Sequence, residues 1–130
     1  MERQKFEALV IRAIEELPAE FQDKLENIDV LAEDWPSPEQ LRQVGIKHNT
    51  QLLGLYEGVP QIDRGQGYTL VLPDKITIFQ KPIERKCRSD REIEREIGEV
   101  VRHEIAHHFG TGDETLYRIE NQKFRKNRLG

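Results

Sequence analysis

Cysteine, methionine and tryptophan each occur once in these 130 residues, and aromatic residues make up only 7% of the chain. A lone Cys87 excludes an intrachain disulfide, and with no charged-then-apolar leader at the start the cytoplasm is the expected compartment. No uninterrupted apolar run approaches the roughly 20 residues that cross a bilayer, so no membrane role is expected. An excess of one charge sign is missing too: 20 Lys and Arg stand against 24 Asp and Glu, a formal net charge of -4. That balance provides no general field for polyanions, and the one basic run, "KFRKNR" from Lys123, is too short to track a nucleic-acid backbone. Nucleic acid is therefore not an expected partner. With 36% hydrophobic and 34% charged residues, the chain suits one core under a densely charged surface, and a single domain over residues 1–130 is expected.

What is present falls into short elements. Phe6, Leu9, Val10, Ala13, Ile14 and Leu17 recur at the spacing of one helical face, and Pro18 closes that helix. A short turn is expected in the polar stretch that follows. In "NIDVLAEDW", Ile28, Val30 and Ala32 alternate as in a strand with one buried face, which Pro36 and Pro38 end. "SPEQLRQVG" carries a Ser cap, a first-turn proline and a closing Gly45, the marks of a short connecting helix. "LLGLYEGVP" and "GYTLVLPDKITIFQ" supply the other strands, broken at Gly58, Pro60, the "DRGQG" turn and Pro73-Asp74.

The best defined element begins at Ser89, which with Glu92 forms a capping-box pattern and opens a proline-free helix running to about Phe109. Its apolar stripe is Ile93, Ile97, Val100 and Val101, and at about 100° per residue it continues through Glu104 and His108 rather than another aliphatic pair. A carboxylate aimed inward without a partner is costly, which points to a cation beside it. His103 and His107, spaced i and i+4, present both rings on the side where Glu104 sits. The chain has four histidines, and three of them lie within "RHEIAHHFGTGD", residues 102–113.

Two imidazoles one turn apart can each bring a nitrogen to roughly 2.0–2.1 Å from one zinc ion, with the intervening glutamate leaning over its open position. In the hydrolytic scheme the metal lowers the pKa of water to about 7, Glu104 takes the proton, and the hydroxide attacks a polarised carbonyl. Gly110 and Gly112 permit a chain reversal that returns Asp113 as third ligand. The result is His-Glu-x-x-His-x-x-Gly-x-x-Asp over His103, Glu104, His107, Gly110 and Asp113. The five-residue core alone would arise by chance on the order of once in a hundred chains of this composition, so the full pattern argues strongly for a metal.

Plainer readings stand beside each residue. His103 and His107 also fit ordinary surface histidines, and Glu104 a pair with a nearby arginine. Asp113 also fits the cap of a final helix, since Thr111 and Glu114 form another capping box; Glu114 is the spare ligand. His108 points about 100° from His107, which suits packing or a supporting hydrogen bond rather than coordination. Cys87 and His48 lack spaced partners and read as structural. Tyr117, the nearest tyrosine to Asp113, reads as core packing ahead of an oxyanion donor.

With "LLGLYEGVP" from Leu52, "PDKITIFQKPIER" from Pro73 and "VVRHEIAHHFGTGDE" from Val100, the second half of the chain resembles the minimal zincins, small bacterial proteins of the zinc metallopeptidase class. The resemblance implies a compact α+β domain, its small mixed or antiparallel sheet packed on a long metal-binding helix with flanking helices. It further implies His103, His107 and Asp113 as zinc ligands and Glu104 as catalytic acid/base. From it also comes the expectation that a peptide lies along an exposed sheet edge beside the metal, with "ITIFQ", residues 76–80, as that strand.

The expected function is a zinc-dependent hydrolase, a peptidase acting on short or extended peptides. The alternative is a metal-holding interaction or regulatory domain with little hydrolysis. Metal-dependent RNA cleavage ranks below both, because small metal RNA hydrolases with a related helix lack the glutamate after the first histidine. A fold does not fix a substrate, and two imidazoles with a carboxylate also accept Mn, Fe, Co or Ni.

Overall fold

The computed structural model describes residues 1–25, 27–58, 62–63, 69–70 and 73–109. The first helix, α1 (Arg3–Glu15), buries Phe6, Val10 and Ile14, one side chain per turn as the spacing predicts. Leu17 is buried just beyond it. The short turn after Pro18 is α2 (Ala19–Gln22), followed by a 3-10 turn over Asp23–Leu25, and Phe21 and Leu25 add to the core.

Strand β1 (Ile28–Glu33) turns Ile28, Val30 and Ala32 toward that core. Helix α3 (Pro38–Val44) is capped as its sequence predicts: Ser37 accepts from Gln40 N–H, Gln40 Oε1 accepts from Ser37 N–H, and Gly45 ends it in the left-handed region at φ 72°. It is more than a connector. Leu41 packs with Ile46 on the buried Leu52, Leu55 and Phe79, so α3 helps close the sheet face opposite the main core.

Strands β2 (Gly54–Glu57), β3 (Ile62–Asp63), β4 (Thr69–Leu70) and β5 (Asp74–Phe79) follow. The main sheet has the order β1-β5-β2, with β1 parallel and β2 antiparallel to β5, while β3 and β4 form a separate antiparallel pair. The "DRGQG" turn beyond Asp63 lies outside the described residues. The sheet is mixed and lies against helices, which gives the α+β class.

This topology overturns the expectation for "ITIFQ". Strand β5 is central, hydrogen-bonded on both sides, and Ile76, Thr77, Ile78 and Phe79 are fully buried. A strand with apolar residues on both faces is what a covered interior position requires. Gln80 is no longer strand: it opens α4 (Gln80–Lys86), a helix absent from the sequence reading, whose Pro82 sits in the first turn, where a proline costs no hydrogen bond.

The long helix is α5 (Asp90–His108). Ser89 Oγ accepts from Glu92 N–H, but Glu92 returns its carboxylate to Arg88 N–H at 2.6 Å rather than to Ser89, so only half of the expected capping box forms. Its apolar stripe also differs from expectation. Beyond Ile97 and Val101 it continues through an aliphatic pair after all, Ile105 and Ala106, both 1% exposed. Ile97, Val101 and Ile105 lie at i, i+4 spacing in the same buried cluster as Ile76 and Ile78, and each such buried side chain contributes about 1.5–3 kcal/mol. Glu104 therefore sits at the margin of the buried stripe, not on its axis. At the far flank of the sheet, Arg3 donates to the Ala32 carbonyl of β1 and pairs with Asp34. No described helix is long and apolar enough to cross a membrane.

Candidate metal centre

The last two turns of α5 place the site. Ile97, Val101 and Ile105 fix which way the helix faces, and the positions beside that buried stripe follow from the 3.6-residue repeat. His103 and His107 fall on the solvent side, both exposed. Their rings are nearly parallel, 24° apart with centroids separated by 6.2 Å. Imidazole nitrogen is a donor that zinc takes at roughly 2.0–2.1 Å, so the pair suits that metal by its chemistry.

Glu104 is half-buried at the edge of the same turn. Burial pushes its carboxyl above the ordinary value, against the opposing pulls of His103, the backbone N–H of Tyr56 and His107. A carboxylate with a raised pKa beside two imidazoles suits a group that must accept and return a proton near neutral pH.

Strand β2 is what buries Glu104. A methyl group on Gly54 would stand 2.6 Å from Val100 Cγ1, 3.2 Å from Ile78 Cδ1 and 3.5 Å from Glu104 Cγ, so the strand rests on the helix backbone to side chain. Two residues on, the Tyr56 backbone N–H acts on the Glu104 carboxylate and pulls its pKa down against the effect of burial. The strand beside the metal turn is thus β2, an edge of the main sheet among the described residues, in the place expected for "ITIFQ".

His108 turns away from the other two histidines, as its 100° offset predicts. Its ring stacks on Tyr56 with centroids 3.8 Å apart and an interplanar angle of 26°, and it meets Phe109 edge-on at 4.9 Å. Tyr56 Oη donates to Asp74 Oδ2 at 2.8 Å. Burial, then the Asp74 hydrogen bond and charge, push the phenol well above its ordinary pKa. Tyr56 and Asp74 did not emerge from the sequence as site residues. The available signal was "GLYEG", an aromatic residue held between two glycines on a strand.

Asp113, Glu114 and Tyr117 lie outside the described residues. Among the described residues no group of three His, Cys, Asp or Glu side chains lies close enough to hold an ion; the donor set there is the imidazole pair. Cys87 is free and half-buried, its thiol pushed up by burial, then by Glu96 and Glu92, on α4's end of the molecule rather than at the metal turn. His48 precedes the 3-10 turn Asn49–Gln51 without capping it.

A family model for zincin-like metallopeptidases matches residues 25–123. The chain belongs to that family. The match spans β1 through α5 and so takes in the sheet, the imidazole pair and Glu104. Membership in the zincin-like metallopeptidases implies zinc-dependent peptidase activity in general. No curated protein matches this zincin-like chain.

Proposed function

We propose that this zincin-like protein is a zinc-dependent peptidase in which Glu104 is the general base and an extended peptide docks along β2. The observation that carries the reading is Glu104 itself, desolvated at the junction of the imidazole pair and an edge strand. His103 and His107 would hold the zinc, with Asp113 completing the set from beyond the described residues and Glu114 as the spare carboxylate. When bound, the ion supplies Lewis acidity, lowering the pKa of water to about 7 and polarising a carbonyl.

The chain's own residues do the rest. Glu104 takes a proton on its carboxylate and delivers it to the leaving amine, a role helped by a carboxyl whose burial brings its pKa closer to neutral. Strand β2 offers backbone groups at its outer edge, the arrangement by which a peptide adds as a further strand. A shallow edge of this kind suits short or unfolded peptides.

Cleavage of a broad peptide library by the zinc-loaded protein, abolished by chelation, is the expected result. Glu104→Gln should retain zinc and lose at least about a hundredfold in turnover, in line with general-base contributions. Wild-type turnover in that variant would overturn the mechanism. Stoichiometric zinc with persistent silence across the library would instead favour a metal-holding interaction domain.

A further inference from the structure

Three side chains from three elements meet beside the metal turn without facing the metal. His108 comes from the last turn of α5, Tyr56 from the edge strand β2, and Asp74 from the first position of the central strand β5. Tyr56 is the middle member: its ring carries His108 at a 3.8 Å centroid separation, and its hydroxyl is anchored on Asp74 at 2.8 Å. His108 Nε2 stands 3.8 Å from the same Asp74 oxygen, Oδ2, too long for a hydrogen bond, so stacking on Tyr56 is its principal contact. The space it occupies is kept open by Gly58, where a Cβ would come within 2.7 Å of His108 Cε1.

The consequence follows from helix geometry. His108 is the neighbour of His107 and one turn beyond Glu104, so a contact that fixes His108 fixes the rotation of the whole terminal turn. The backbone N–H of the same Tyr56 also acts on the Glu104 carboxylate. One residue thus bears on the helix at two positions, by its stacked ring at 108 and by its main chain at 104. His103 and His107, on the other side of the turn, are exposed. Ordinary core packing through Ile105 would keep the helix on the sheet but would not by itself fix how the solvent-side rings point.

We propose that Asp74, Tyr56 and His108 form a clamp that locks the metal-bearing turn of α5 to β2, making Tyr56 and His108 positioning residues for His107 and Glu104. The inference rests on the reading of His103 and His107 as zinc ligands. It assigns no coordination to His108. Supports of metal ligands typically change affinity by 10–100-fold, and because this one acts through the helix the lower figure, about tenfold, is expected.

The test is zinc affinity of the full chain, measured by competition with a chromophoric chelator well below each variant's melting temperature. His108→Ala should bind zinc about tenfold more weakly than the wild type. His108→Phe, which keeps an aromatic face on Tyr56 and cannot ligate, should stay within about threefold of it. Should His108→Ala fail to fold, His108→Leu fills similar space without an aromatic face and should show the same loss. Wild-type affinity in His108→Ala or His108→Leu overturns the clamp, and so does a His108→Phe as weak as the alanine variant, which would mark the imidazole itself as a ligand. A wild-type chain that takes up no zinc overturns the metal reading and the clamp with it, so failure of the two is told apart by the wild type alone.

Discussion

Gly54 and Val100 are in contact at a distance that leaves no room for a side chain: a Cβ added to the glycine would lie 2.6 Å from Val100 Cγ1. Val100 is 7% exposed and held in the core, and Ile78 closes the other side at 3.2 Å. Gly54→Ala must therefore push β2 off α5, a form of overpacking that costs about 1–3 kcal/mol. Urea denaturation of the metal-free protein would report it, and an unchanged midpoint would mean that the strand yields without strain.

Gly98 is the contrasting position. It lies in the interior of α5, and the nearest atom to an added Cβ is Arg102 Nη1 at 3.0 Å, the tip of a long side chain that can swing aside. Helix interiors favour alanine over glycine by roughly 0.5–1 kcal/mol. Gly98→Ala should stabilise by that amount in the same urea series; a loss would show that Arg102 cannot give way.

Glu104 makes the fold pay for the site. Its folded pKa is raised by burial, so the protonated form is the stabilised one: that contribution is complete below the ordinary glutamate pKa and vanishes as pH rises through the folded value. At neutral pH the ionised side chain weakens the metal-free protein. Glu104→Gln should melt at a higher temperature than the wild type at pH 7 in a chelator, with the gap shrinking toward pH 4. A gap that is absent or grows on acidification would contradict the burial argument.

Tyr56 sets an alkaline limit. Its phenol is raised well above an ordinary tyrosine, so the folded state keeps its proton where the unfolded chain, with a pKa of about 10, has lost it. Stability from this group is full below pH 10 and declines above it. Lys86, raised chiefly by its hydrogen bond to Glu96, works in the same direction but is largely exposed and contributes little. Denaturation midpoints between pH 9 and 11 should fall more steeply for the wild type than for Tyr56→Phe, and parallel slopes would remove Tyr56 as the cause.

Elements with local causes were legible from the sequence. Ser37, Pro38 and Gly45 delimit α3 by capping chemistry that involves only neighbours in the chain, and Phe6, Val10 and Ile14 mark α1 by period alone. That His103, Glu104 and His107 share one side of a helix turn was legible for the same reason, since i, i+4 geometry is a property of the helix and needs no tertiary knowledge. What the sequence withheld depended on pairing. Nothing in "ITIFQ" or "GLYEG" states which strand lies inside the sheet; that β5 is central and β2 the edge is settled by their partners. The continuation of the α5 stripe through Ile105 was misread because Glu104 and His108 sit a few tens of degrees from it, a margin that an average 100° step does not resolve. Tyr56 and Asp74 are 18 residues apart and meet only because β2 and β5 pair.

The two flanks of the main sheet are treated differently. On the β1 side, the Arg3 guanidinium donates to the Ala32 carbonyl and pairs with Asp34, so one acceptor on that border is already engaged and closed to a second molecule. That carbonyl is one fewer site for strand exchange between molecules, and a change that removes the Arg3 guanidinium would free it.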